Sequence, residues 1–136
     1  RQPARSMRTG QKVSTPALVV VIDDDVSVRT SLKFLLELEG FVVHSYASAA
    51  EFLSTDDVER CSCLVTDQNM PGMSGLDLIA QLRTRHASAP AILITSDPSL
   101  FVRERARKAA IPIVEKPRLG NALCDRIRDA VAHGHG

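Results

Sequence analysis

ALVVVIDDD, residues 17–25, decides the fold of this chain. Three consecutive valines and an isoleucine favour the pleated, extended backbone. The run has no polar alternation, so the strand it forms is covered on both faces, as in the middle of a parallel sheet. Covering both faces takes helices above and below, and the sequence supplies them.

Four further short apolar runs follow: FVVHSY (41–46), CSCLVT (61–66), AILIT (91–95) and IPIVE (111–115). Helical periodicity fills the gaps between them. In 27–39, Val28, Leu32, Leu35, Leu36 and Leu38 fall on one stripe, which Gly40 terminates. Ser48 caps AAEFL, with Glu51 completing a capping box. Leu76, Ile79 and Leu82 share a face of 76–86. The stretch 98–110 starts with Pro98 near the first turn, where a missing N–H costs nothing. Leu119, Leu123, Ile127 and Val131 align in 119–132. Five strands alternating with five helices predict an α/β fold, a flavodoxin-like doubly wound (βα)5 three-layer sandwich whose parallel strands run in the order 2-1-3-4-5. Pro112 removes a ladder donor, so the fifth strand lies at an edge or begins late.

The 136 residues make one domain of ordinary size, 44% hydrophobic with a net charge of +1. That balance does not advertise nucleic acid or anionic membrane as a partner of the whole chain. No apolar run approaches the roughly 20 residues that span a bilayer. Residues 1–16 are basic and polar and read as a solvated arm; 17–133 form the domain; 134–136 read as a frayed end. Cys61, Cys63 and Cys124 are odd in number and lack zinc spacing, so they read as reduced thiols of a cytoplasmic protein. Cys61 and Cys63 are expected on the same side of the third strand. The histidines show no i, i+4 metal pair.

In a doubly wound sheet the ligand lies beyond the carboxyl ends of the strands. Strand 1 ends in Asp23-Asp24-Asp25, strand 3 in Asp67, strand 4 in Thr95-Ser96 and strand 5 in Lys116-Pro117. Clustered carboxylates repel one another, and a hard divalent cation relieves the repulsion. A few carboxylates with an open side suit Mg²⁺ (or Mn²⁺), which keeps several waters. A lysine and a hydroxyl at the same point suit the oxygens of a phosphoryl group.

With these residues in place, the chain from about Ala17 to Val131 resembles the receiver domain of two-component response regulators, in the CheY-like superfamily and most like the FixJ-like class. VVVIDDD with VRTSLKFLLELEGF, LVTDQNMPGMSGLDLI and EKP carry the resemblance. It implies that Asp67 is the phosphoacceptor, forming an acyl phosphate with a phosphoryl group from a sensor histidine kinase. It implies metal ligation by Asp24, Asp67 and the Asn69 backbone carbonyl, with Asp23 direct or through water. Lys116 would pair with Asp67 and then with the phosphoryl oxygens, Thr95 would donate its hydroxyl, and Ser96 would offer a backbone N–H. Asn69 and Asp97 would tune the lifetime of the phosphoryl group. The output would be transcription, through a DNA-binding domain not present in this chain. A homodimer would form through the fourth helix (98–110), fifth strand and fifth helix (119–132). The chain would not be an enzyme in the ordinary sense, since it modifies itself.

Other readings stand beside these. Asp25 is read as the cap of the first helix in preference to a ligand, and Asp97 as a cap of the fourth. Gln68 is read as a loop residue without chemistry, Met70 and Met73 as loop packing, and Gly72 and Gly75 as turn and helix-start residues. The basic helix with Arg103, Arg105, Arg107 and Lys108 is either a solvated face or a docking surface. The family's aromatic three positions before the lysine is Ile113 here. The segment after the fourth helix is one residue short and lacks the family's glycine, and the resemblance allows a cis Lys116–Pro117 bond. Two rivals remain, a phosphatase of the haloacid-dehalogenase type with Asp23 as nucleophile and Asp25 as acid/base, and a receiver that binds partners without phosphorylation. A flavin reading fails, because three aspartates after strand 1 would repel a cofactor phosphate.

Overall fold

The computed structural model describes residues 16–86, 88–116 and 120–134. The predicted arm except Pro16, the Lys116–Pro117 bond, Leu119 and the last two residues lie outside these. In chain order the elements are β1 (Leu18–Ile22), α1 (Val26–Leu38), β2 (Val42–Tyr46), α2 (Ala49–Leu53), α3 (Asp57–Arg60), β3 (Cys63–Asp67), α4 (Gly75–Arg85), β4 (Ala91–Thr95), α5 (Leu100–Lys108), β5 (Ile113–Glu115) and α6 (Gly120–Gly134). The five strands are parallel and ordered β2-β1-β3-β4-β5, the predicted topology.

The alternation of side chains builds two cores from one sheet. Leu18, Val20, Ile22, Leu64, Ala91 and Leu93 face one layer with Phe52, Val58, Leu78, Ile79 and Leu82 from α2, α3 and α4. Val19, Val21, Val65, Ile92 and Ile94 face the other with Leu32 and Leu36 of α1 and Leu123 and Ile127 of α6. All five residues of β1 are buried, as its unbroken apolar run requires. Pro112 sits just before β5, so that strand begins late at the sheet edge, and the Pro112 carbonyl accepts from the Leu93 N–H at 2.9 Å.

Some local expectations are corrected. The region between β2 and β3 holds two short helices, one more helix than five repeats supply. Glu51 returns its bond to the Ala47 N–H at 3.2 Å, one residue before the Ser48 cap. Leu38 is 67% exposed and falls off the α1 stripe. Cys61 ends α3 and packs in the layer with Phe52, while Cys63 begins β3 and packs in the opposite layer, so the two do not share a side. Ser99, not Asp97, caps α5, its hydroxyl accepting from the Val102 N–H; Pro98 precedes that cap, and Asp97 takes a positive φ of 44°. Asp25 does cap α1, accepting from Ser27 and Val28. Three arginines of α5 have acidic partners, Arg103 with Glu115, Arg105 with Asp77 and Arg107 with Glu104.

Two features outside the sheet bear on stability. Asp57, buried at the start of α3, accepts from the Tyr46 hydroxyl at 2.5 Å and pairs with His44 Nδ1 at 2.8 Å. Burial alone would raise its pKa, but Tyr46, His44 and Arg60 outweigh burial and hold it below the usual carboxylate value. A lowered folded pKa gives stability that is present above the unfolded value and lost as pH falls through the folded one. The second feature is Ala110, which closes α5 in the left-handed region at φ 57°, with the Ile111 N–H bonded to the Ala106 carbonyl. An L residue with a Cβ pays for that conformation.

Urea unfolding checks both. Asp57→Asn should cost about 1–2 kcal/mol at neutral pH, with the deficit closing below about pH 4. Ala110→Gly should add about 0.5–1 kcal/mol, since glycine takes the left-handed cap without strain.

Candidate functional site

The register places the candidate residues. Ile22 pairs with Thr66, Asp67 with Ile94, and Thr95 with Glu115. The residues at or just after these ends, Asp23, Asp67, Thr95 and Lys116, therefore emerge at one edge of the sheet.

There the charges converge. Lys116 Nζ lies 3.3 Å from Asp67 Oδ1 and 3.1 Å from Asp23 Oδ2. Carboxylate oxygens of Asp23, Asp24 and Asp67 lie within 4.8 Å of one another. Asp23 is fully buried and Asp67 is 5% exposed, whereas Asp24 is open to solvent. Asp23 is held from two sides: its Oδ1 accepts from the Asp25 N–H at 2.9 Å, and its carbonyl accepts from Arg29 Nη1 at 2.7 Å. Its Oδ2 makes no hydrogen bond of good geometry among the described residues, leaving the Lys116 ion pair as the compensation in view.

Burial, then the charge of Asp23, push the pKa of Asp67 up against the opposing pull of Lys116 and of the Asn69 backbone. Burial pulls Lys116 down, but its bonds and charge attraction to Asp23 and Asp67 outweigh that, and its pKa is raised. The lysine is therefore cationic throughout the neutral range. An all-oxygen donor set with one solvent-facing carboxylate and a buried Asp23 oxygen that has an ion pair but no hydrogen bond among the described residues fits a hard divalent cation.

The remaining predicted residues are distributed around this centre. Thr95 is buried, and its hydroxyl donates to the Ser96 carbonyl over a long 3.4 Å. Its own carbonyl accepts from the Lys116 N–H at 3.0 Å. Asn69, Ser96 and Asp97 are exposed on the loops. Ile113 packs in the core layer that holds Val102, outside the acidic cluster.

Three residues shape the site beyond the sequence reading: Arg29 was missed, Gln68 was misread, and Gly75 was rightly placed at a helix start but without its close approach to β3. Arg29 anchors the Asp23 backbone; a cation one turn beyond three aspartates was the available signal. Gln68 is not an idle loop residue, since its side-chain oxygen accepts from the Leu76 N–H at 2.9 Å. Gly75 starts α4 against β3 so closely that a Cβ there would stand 2.3 Å from the Asp67 carbonyl oxygen.

The model of the response regulator receiver domain matches residues 19–128. The chain belongs to the response regulator receiver domain family. Relatives of this receiver domain include the transcriptional regulatory protein FixJ of Azorhizobium caulinodans, 43% identical over 111 residues, 81% of this chain and 53% of that protein. Nodulation protein W of Bradyrhizobium diazoefficiens is 36% identical over 117 residues, 85% of this chain and 52% of its own. The chain thus spans about half the length of these curated relatives. Among solved structures, FixJ-N superposes with a TM-score of 0.77 at 34% identity, covering 88% of this chain and 97% of that one. A receiver domain protein from Clostridium thermocellum gives 0.82 at 27% identity, with the same coverages of 88% and 97%. No helix among the described residues is long and apolar enough to cross a membrane.

The raised pKa of Asp67 has a consequence for the receiver domain's stability. Its charging in the fold is disfavoured above the unfolded value, and that cost is complete above the raised folded value. Asp67→Asn should therefore stabilise the metal-free domain by about 1 kcal/mol at neutral pH. The gain should vanish as pH falls below the ordinary carboxylate range, as read by urea unfolding in the presence of a chelator.

Proposed function

We propose that this receiver domain takes a phosphoryl group onto Asp67 from a phosphohistidine of a sensor histidine kinase, with Mg²⁺ (or Mn²⁺) held by Asp23, Asp24, Asp67 and the Asn69 carbonyl. The observation that carries the reading is the Lys116 ammonium shared between Asp67 and Asp23 at 3.3 and 3.1 Å. A cation poised there stands beside the carboxylate on which phosphoryl oxygens would develop charge.

The chain's residues would act as follows. An Asp67 oxygen attacks phosphorus in line with the donor nitrogen; the new P–O bond forms as the P–N bond breaks, and the electron pair returns to the imidazole. Lys116 shifts its bonds from Asp67 to the phosphoryl oxygens. Bound Mg²⁺ supplies neutralisation of charge on those oxygens. The weakly bonded Thr95 hydroxyl turns from the Ser96 carbonyl to donate to the same group, and the Ser96 N–H adds a donor nearby. Asn69 and Asp97, exposed beside the site, would govern the access of water and so the lifetime of the acyl phosphate. The domain is a self-modifying acceptor, not an enzyme with turnover on a separate substrate.

The signal would leave by the α5–β5–α6 face, where Leu100 and Phe101 are 83% and 72% exposed. An apolar pair so open suits a homodimer contact. With Ile113 in place of an aromatic, the motion of Thr95 would be read through repacking against Val102, not through a swinging ring. The FixJ relatives are transcriptional regulatory proteins by name, which supports a transcriptional output; that output would act through a DNA-binding domain, in the cytoplasm. The phosphatase rival fares poorly: its nucleophile would be the fully buried Asp23, and its acid/base, Asp25, is occupied as a helix cap.

Incubation with acetyl phosphate and Mg²⁺ tests the reading by intact-mass spectrometry. The wild type should gain one phosphoryl mass, lost in alkali; Asp67→Asn and samples in chelator should gain none, and Lys116→Ala should be slowed by about 100-fold or more. A phosphoryl group recovered on Asp23, or labelling that survives Asp67→Asn, would refute it.

A further inference from the structure

Resting on that reading, we infer that Gln68 is a positioning residue for the phosphoryl-accepting site, its side chain fastening the Asp67–Asn69 loop to the first turn of α4.

Three bonds hold this one residue. Its N–H donates to the Ile94 carbonyl of β4 at 3.1 Å, its carbonyl accepts from the Gly75 N–H at 3.1 Å, and its side-chain oxygen accepts from the Leu76 N–H at 2.9 Å. The first N–H groups of a helix have no partner within it. Gln68 thus satisfies two consecutive ones, while the Ser74 hydroxyl accepts from the Asp77 N–H at 3.1 Å. The loop and helix are joined from the loop side.

Peptide planarity carries the consequence to the reacting atoms. In a trans peptide the C=O of residue 68 and the N–H of residue 69 point in opposite directions. With the Gln68 carbonyl turned toward Gly75, the Asn69 N–H is turned away from α4. The same peptide plane begins Asn69, whose carbonyl is the backbone ligand in the proposed metal site. The margin for movement is small, because Gly75 lies too close to the Asp67 carbonyl to accept even a Cβ. The Gln68 side chain adds the second of two adjacent bonds across this junction, so one bond alone can swivel and the pair cannot. Removing the acceptor oxygen leaves the Leu76 N–H unsatisfied and lets the 68–69 peptide rotate. The effect falls on the Asn69 N–H and carbonyl, and through them on Asp67.

The test pairs a near-isosteric variant lacking the acceptor, Gln68→Met, with one that keeps it, Gln68→Glu. Mg²⁺ affinity is measured by calorimetry on the unphosphorylated domain, and amide exchange of Leu76 and Asn69 by NMR. Gln68→Met should bind Mg²⁺ about 10-fold more weakly, with faster exchange at both amides and slower labelling by acetyl phosphate. Gln68→Glu should keep both amides protected and bind Mg²⁺ at least as well as wild type. Faster exchange at Leu76 alone in Gln68→Met, with Mg²⁺ affinity and Asn69 exchange unchanged, would make Gln68 a helix cap only and overturn the inference. Unchanged Leu76 exchange would overturn it as well. A wild type that binds no Mg²⁺ would overturn the receiver chemistry and this role with it, whereas wild-type binding that Gln68→Met leaves intact would fail the positioning role alone.

Discussion

Lys116 sits between two carboxylates that water barely reaches, and the arrangement at the top of the sheet depends on that ammonium. Asp23 and Asp67 are both buried, and like charges in a poorly polarisable setting repel strongly. One cation within 3.3 Å of both offsets the repulsion without cancelling it, and Asp24 adds a third negative charge at the solvent side. Burial first, and then the remaining negative charge of Asp23, raise the pKa of Asp67. A fold that tolerates such excess has a use for a divalent cation there, and a reason to give up part of its own stability to keep the place ready.

The scaffold can hold these charges because it is rigid where they are attached. Asp23 and Asp67 stand at the ends of strands buried throughout, Lys116 follows a short edge strand anchored by the buried Val114, and the strand register leaves no freedom to slide. Asp23 is bound further by Asp25 and Arg29, and Asp67 by the near contact with Gly75. By contrast Thr95 has a long hydroxyl bond and Asp97 an uncommon backbone conformation. Rigidity thus surrounds the acceptor, and the softer elements lie on the strand that leads toward α5.

Much of this was legible beforehand. Unbroken runs such as VVVI and AILIT identify covered parallel strands, and alternation with helical stretches leaves few topologies, so strand order and the converging aspartates follow. Asp23, Asp67 and Lys116 could be named because strand ends are the one place where a local signal fixes a three-dimensional position. Other features had no local signal. Gln68 contacts a helix that starts seven residues later, which composition does not reveal. Cys61 and Cys63 have strand spacing, yet a short helix ends at the first. Asp97 and Ser99 are both acceptable caps, and the choice depends on how β4 delivers the chain to α5. Ala110 occupies a place glycine would fill, so the turn was hidden by the residue type itself.

A crystal structure of the domain with Mg²⁺ and beryllofluoride measures the central claim most directly. The account predicts beryllium bonded to an Asp67 oxygen, the metal in contact with Asp24, Asp67 and the Asn69 carbonyl, and the Lys116 amine moved onto a fluoride. A complex in which Lys116 stays between Asp23 and Asp67 while the fluoride group settles elsewhere would contradict it.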